Sequence, residues 1–182
     1  LPAATQLWSA GGDPVRAWAP TPGAPPDSGG ICDRTTWIQM TSKDAYLCAY
    51  FNGAKPATEI PATPGDVLTV ILEYQNISTE RRDNVTFTAE RFDRLTILPG
   101  STWTNSSHLD GEPFDGAKLY GSGVNLGSYA PSGNVWISLP LQIATADKFS
   151  CGHTAIPVRF EAGSYGGTRP VASAIVDVAR RC

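Results

Sequence analysis

Val67-Leu-Thr-Val-Ile-Leu-Glu-Tyr-Gln75 is the stretch on which the reading of the fold turns. It is dense in β-branched and aromatic residues, which pack well on a pleated surface and lose side-chain freedom in a helix. It follows Pro61-Ala-Thr-Pro64-Gly65-Asp66, where Pro and Gly preset the backbone angles of a turn. A strand entered from a sharp corner is the reading these residues favour.

Further strands are predicted on both sides of it. Asn84-Val-Thr-Phe-Thr-Ala-Glu90 alternates strictly, with Val85, Phe87 and Ala89 on one face and Thr86, Thr88 and Glu90 on the other. Leu95–Leu98 is stopped by Pro99-Gly100, and Val135–Ile143, Ala155–Glu161 and Val171–Val178 read as three more strands. Upstream, Thr35–Met40 and Ala45–Phe51 flank the polar turn Ser42-Lys43-Asp44 and predict a hairpin. No apolar stripe of helical period lasts three turns, and the strand–helix alternation of a parallel sheet is missing. The expectation is an all-β, antiparallel sandwich of about eight strands over residues 31–182, preceded by an extended arm over residues 1–30.

That arm is rich in Pro and Gly, which forbids a long helix and interrupts any sheet ladder. Leu7, Trp8, Val15 and Trp18 nevertheless give it more apolar area than a solvated tail carries, so the sequence predicts that something covers them. The chain begins at Leu1 and its only methionine is Met40, which reads as a processed chain or a piece of a longer one.

Composition narrows the partners. A net charge of -3, with basic and acidic residues spread along the chain, builds no face for a phosphate backbone and argues against nucleic acid. The longest apolar runs are broken by Glu73 or Pro140, well short of the roughly 20 residues that span a bilayer, so no membrane insertion is expected. Cys32, Cys48, Cys151 and Cys182 include no C-x-x-C pair, so disulfides are a better reading than a zinc or redox site, and they imply an oxidising, extracellular setting. Of the three connectivities, Cys32–Cys48 with Cys151–Cys182 is favoured because it closes two local loops.

Several short motifs share an order and spacing: Tyr74-Gln-Asn-Ile-Ser78, Asn84-Val-Thr86, Leu98-Pro-Gly-Ser101, Asp110-Gly111, Gly121-Ser-Gly-Val-Asn-Leu-Gly127 and Ala130-Pro-Ser-Gly133. Together, over roughly residues 61–145, they resemble the conserved-repeat Ig-like domain of bacterial and archaeal cell-surface proteins. The resemblance implies an immunoglobulin-like sandwich and a life as adhesin, sheath, envelope or filament subunit. The chain departs from it in lacking tandem copies, in its tryptophan-bearing arm and in its four cysteines.

Candidate chemistry is sparse. Of the two histidines, His153 follows Cys151, a residue better used in a bridge than as a thiolate, and His108 sits with Asp110 in a polar loop. The nucleophile-elbow, zincin, P-loop and dinucleotide motifs are absent, and Gly121–Gly123 and Gly163–Gly167 read as turns. Glu73, Glu90 and Glu161 could pair as glycosidase carboxylates, but alternation equally places them on wet strand faces. No enzyme activity and no cofactor are expected.

Three binding features are candidates. Asp110, Glu112 and Asp115 offer oxygen ligands to calcium without the spacing of an EF-hand. Asn76, Asn84 and Asn105 head N-x-S/T glycosylation sequons. Trp103, Tyr120, Tyr129 and Trp136 could form an exposed ligand platform on which sugar rings stack. The expected function is a secreted structural or assembly subunit of the cell surface, associating with itself or with other surface proteins through the arm. The alternative is an extracellular adhesin or carbohydrate-binding module with a glycan partner.

Overall fold

The computed structural model describes residues 31–32, 44–53 and 55–182. The arm residues Leu7, Trp8, Val15 and Trp18, and the strand expected at 35–40, lie outside the described residues. The described chain forms strands β1 (Ala45–Phe51), β2 (Glu59–Ala62), β3 (Val67–Asn76), β4 (Thr86–Ala89), β5 (Leu95–Ile97) and β6 (Thr102–Asn105). They are followed by β7 (His108–Pro113), β8 (Val124–Asn125), β9 (Asn134–Ile143), β10 (Gly152–Gly163) and β11 (Val171–Arg180), and the only helical turns among the described residues are short 3₁₀ turns.

Two sheets face each other. The first runs β1-β3-β9-β6-β7, with β5 also paired to β9, and the second runs β2-β11-β10-β4-β8. The architecture is thus the all-β Ig-like sandwich, with one departure from pure antiparallel pairing: β2 lies parallel to β11, Ile60 opposite Val176. The predicted turn before β3 is closed by the Asp66 carboxylate, which accepts a hydrogen bond from the Thr63 amide at 2.8 Å, and by Gly65 at a φ of 86°. β1 pairs with β3, Leu47 opposite Tyr74.

Alternation explains the main core. Val70, Leu72 and Tyr74 of β3 and Val135, Ile137 and Leu139 of β9 point inward, against Ile156, Val158 and Phe160 of β10 and Ala174, Val176 and Val178 of β11. The outward positions of β10 obey the same period: Ala155, Pro157 and Arg159 are exposed. Pro157 is tolerated in this long strand because β4 pairs only with Phe160–Gly163, so among the described residues one side of β10 at Pro157 has no ladder to lose an N–H from.

The first sheet breaks the rule. All seven residues of β1 are buried, and a second apolar cluster of Tyr46, Cys48, Tyr50, Ile71 and Trp136 forms on its outer face, with Ile31, Cys32 and Ile77 packed against it. Glu73 is buried in the same layer and accepts a hydrogen bond from the Tyr46 hydroxyl at 3.0 Å. The Cys32–Cys48 disulfide holds the preceding chain onto this face. The second disulfide, Cys151–Cys182, joins the start of β10 to the residues after β11 and is exposed.

Candidate binding surface

The four aromatics predicted as a platform do not share a surface. Trp136 is fully buried on the outer side of the first sheet, whereas Trp103 packs toward the main core beside His108, with ring centroids 4.7 Å apart. Tyr129 is buried, and its hydroxyl donates to the Leu126 carbonyl at 2.6 Å. Tyr120 is half-buried, edge-on to Phe92, and the Arg91 guanidinium covers its ring at 4.5 Å. Alternation along β6 and β9 sends Trp103 and Trp136 to opposite faces, so a common stacking surface is ruled out by the strand period itself.

The three sequons separate in the same way. Asn76 is buried, its Nδ2 donating to the carbonyls of Glu80 and Tyr129 and its Oδ1 accepting from Ser78. It works as a structural clamp and is inaccessible to a glycosyl donor in the folded state. Asn105 is half-buried, donates through Nδ2 to the Tyr129 hydroxyl at 3.1 Å and caps the turn at Ser107 and His108 through Oδ1. Asn84 alone is exposed: its Oδ1 accepts from Asn125 and its backbone amide donates to the Ser128 hydroxyl at 3.0 Å, while its side-chain Nδ2 makes no hydrogen bond among the described residues.

The calcium candidates do not converge. Asp110 and Glu112 stand exposed on β7, while Asp115 spends its carboxylate on the Ala117 amide at 3.0 Å, capping a 3₁₀ turn. No group of three or more His, Cys, Asp or Glu residues among the described ones is placed to hold a metal ion. His153 lies 3.0 Å from Asp177 on the outer face of the second sheet, an orienting pair that sequence reasoning missed because the partners are 24 positions apart. Cys151, the nucleophile such a pair would need nearby in sequence, is bonded to Cys182. Glu73, Glu90 and Glu161 are likewise not a set: Glu73 is buried on the first sheet, while Glu90 and Glu161 pair with Arg159 and Arg169 on the second.

What the structure does assemble is a polar groove at one end of the second sheet. A cavity of about 610 Å³ opens between Asn84, Thr86, Ser122, Ser164, Tyr165 and Arg169. A neighbouring cleft of about 360 Å³, floored by Thr88, Glu161 and Phe160, shares Arg169 with it. Two glycines let the parts approach: a Cβ on Gly123 would stand 2.5 Å from the Phe87 carbonyl oxygen, and one on Gly163 would meet the Arg169 guanidinium at 2.7 Å. Arg169 therefore lies flat across the end of β10, its Nε bonded to Glu161.

Tyr165, at the tip of the β10–β11 hairpin, is 92% exposed. The base of the same loop is fixed. Asp44, nearly buried, accepts from both the amide and the hydroxyl of Thr168 and pairs with the Arg82 guanidinium at 3.1 Å. Arg82 in turn lies near Tyr74, whose phenol is pushed up to about 12, chiefly by burial and secondarily by the Asp44 charge. An exposed ring on an anchored loop is thus the most accessible aromatic among the described residues, and its Gly163-Ser-Tyr-Gly-Gly167 context reads in sequence only as a turn.

No protein-family model matches the chain, so the conserved-repeat Ig-like resemblance rests on its quoted motifs alone. No curated protein sequence matches it either. Among solved structures it is similar to the major pilin subunit BcpA of Bacillus cereus, with 12% identity and a TM-score of 0.47 over 74% of this chain and 40% of that one. It is similar to BslA, a bacterial hydrophobin, with 19% identity and a TM-score of 0.48 over 78% of this chain and 98% of that one. It is also similar to the N-terminal domain of the Streptococcus gordonii adhesin Sgo0707, with 11% identity and a TM-score of 0.46 over 75% and 33%. Identity and superposition are low throughout, the chain spans less than half of the pilin, and nothing about its function follows from these likenesses.

Proposed function

We propose that the chain is a secreted, non-enzymatic structural subunit of the cell surface that associates with copies of itself, or with other surface proteins, through the arm at residues 1–30. The supporting observation is the outer face of the first sheet. In a free-standing sandwich that face is wet and polar, yet here Tyr46, Tyr50, Ile71 and Trp136 form a second buried cluster, and Cys32 is bonded into it through Cys48. The chain is therefore built to lay apolar segments against the outside of a sheet. Leu7, Trp8, Val15 and Trp18 supply further apolar area of the kind that would seat on a neighbouring sandwich.

Sedimentation velocity across a range of concentrations tests this. The full chain is expected to self-associate, and a Trp8→Ala/Trp18→Ala variant to remain monomeric. A wild-type chain that stays a compact monomer at every concentration, with and without candidate surface partners, would sink the assembly reading.

A second reading, an extracellular adhesin or carbohydrate-binding module, is favoured by the Tyr165 groove. It is independent of the arm and is developed below.

A further inference from the structure

We infer that the groove around Tyr165 and Arg169 is a binding site for an acidic saccharide, a chain of sugars bearing carboxylate groups. The inference rests on the second functional reading and names the ligand chemistry of that site. Each part of the groove matches a different demand of such a ligand.

The ring comes first. Sugar C–H faces stack on aromatic rings, and a tyrosine that is 92% exposed, with no hydrogen bond or ring contact among the described residues, has its full face available. The loop that carries it has no packing need for a ring at that position, since the side chain touches no core residue. The base of the loop is fixed before any ligand arrives, because Thr168 is tied to the buried Asp44–Arg82 pair, which limits the part of the loop that binding must order.

The charge comes second. Arg169 pairs with Glu161 through its Nε, its two terminal nitrogens make no hydrogen bond among the described residues, and the residue lines both cavities. That end-on edge of a guanidinium is the part that matches a carboxylate with two parallel hydrogen bonds. Gly163 sets its height, since any side chain there would lift the guanidinium from the end of the strand.

The hydroxyl partners come third. Asn84, Thr86, Ser122 and Ser164 ring the remaining wall, and the Asn84 side-chain Nδ2 makes no hydrogen bond among the described residues. Short neutral donors and acceptors around one aromatic and one charge make a site with orientation, and a volume of about 610 Å³ holds more than one sugar ring's worth of ligand. The adjoining cleft past Arg169 runs along β4 and β10, where Glu90 and Glu161 are each paired with an arginine, Arg159 and Arg169.

Isothermal titration of the full chain with an oligogalacturonate, and in parallel with a neutral cello-oligosaccharide, tests the assignment. Oligogalacturonate is expected to bind, with affinity falling at least tenfold in Tyr165→Ala and in Arg169→Gln, and with weaker binding at high salt. Arg169→Lys, which keeps the charge but loses the fork, is expected to recover only part of it. Tyr165→Ala alters an exposed tip and serves as the variant whose fold is safe. Neutral oligosaccharide binding as tight as oligogalacturonate and lost in Tyr165→Ala overturns the acidic chemistry while leaving the saccharide reading standing. No binding to either probe, or binding unchanged by both variants, overturns the site and the saccharide reading with it.

Discussion

The two outer faces of this sandwich are built to opposite specifications. Behind the first sheet, Tyr46, Tyr50, Ile71 and Trp136 are buried as a small second core, and one disulfide ties the partly buried Cys32 to it. Behind the second sheet, Ala155, Pro157, Arg159 and Ser173 face solvent, and charged residues pair across the strands. Both sheets bury their inner faces in the same way, so the difference carries no information about the fold as such. It shows that one side of the molecule is covered and the other open to solvent.

That contrast can be broken experimentally, beginning where the effect is largest. Trp136→Ala empties a fully buried site on the covered face and should cost about 3–5 kcal/mol in denaturant unfolding. Trp136→Phe should cost much less, because the indole N–H makes no hydrogen bond among the described residues and its loss leaves no partner orphaned.

Removing the buried bridge with Cys32→Ser/Cys48→Ser should cost about 3 kcal/mol by loop-closure entropy. The exposed bridge sharpens the same comparison by its reactivity. Under a mild reductant followed by alkylation and mass spectrometry, Cys151 and Cys182 should be labelled before Cys32 and Cys48, because a thiolate can reach the exposed sulfurs without any unfolding.

Raising the pH probes the inner face that the two sheets share. The Tyr74 phenol titrates near its ordinary value of 10.0 when unfolded and near 12 when folded. The folded state therefore holds its proton more tightly, stability is intact below pH 10, and it is lost progressively as pH rises toward 12. Tyr129 is shifted in the same direction by burial and adds to the slope. In Tyr74→Phe the decline between these pH values should be shallower, as read from chemical-denaturation midpoints.

The smallest effect is expected on the wet face. Arg159→Ala removes an exposed ion pair with Glu90 and should change stability by less than about 0.5 kcal/mol.

How much of this is legible in the sequence follows from what each element depends on. β3, β9, β10 and β11 are long and mark themselves by β-branched runs between corners, and all four fall within a few residues of the reading. β7 reads in sequence as a polar loop because His108 and Asp110 look solvated. They are solvated, but on a strand whose pairing with β6 satisfies the backbone. The parallel pairing of β2 was not foreseen, since a four-residue strand containing Pro61 carries almost no periodic signal and its partner is fixed by tertiary packing.

The platform aromatics failed for a related reason. Position along the chain says that Trp103 and Trp136 are near loops, but only register says that they face opposite ways. Tyr165 carries no signal in the sequence, because Gly and Ser around it spell a turn and exposure at a turn tip cannot be told from sequence. The burial of Asn76 likewise depends on Tyr129, a residue 53 positions away.

Hydroxyl-radical footprinting with residue-level mass spectrometry measures the difference between the two outer faces directly. The full chain under native conditions is predicted to leave Tyr50 and Trp136 unlabelled until it unfolds, while Tyr165 is labelled at once. Labelling of Trp136 at a rate comparable with Tyr165 would mean that the first sheet's outer face is open, and the account of a molecule with one face made to be covered would be contradicted.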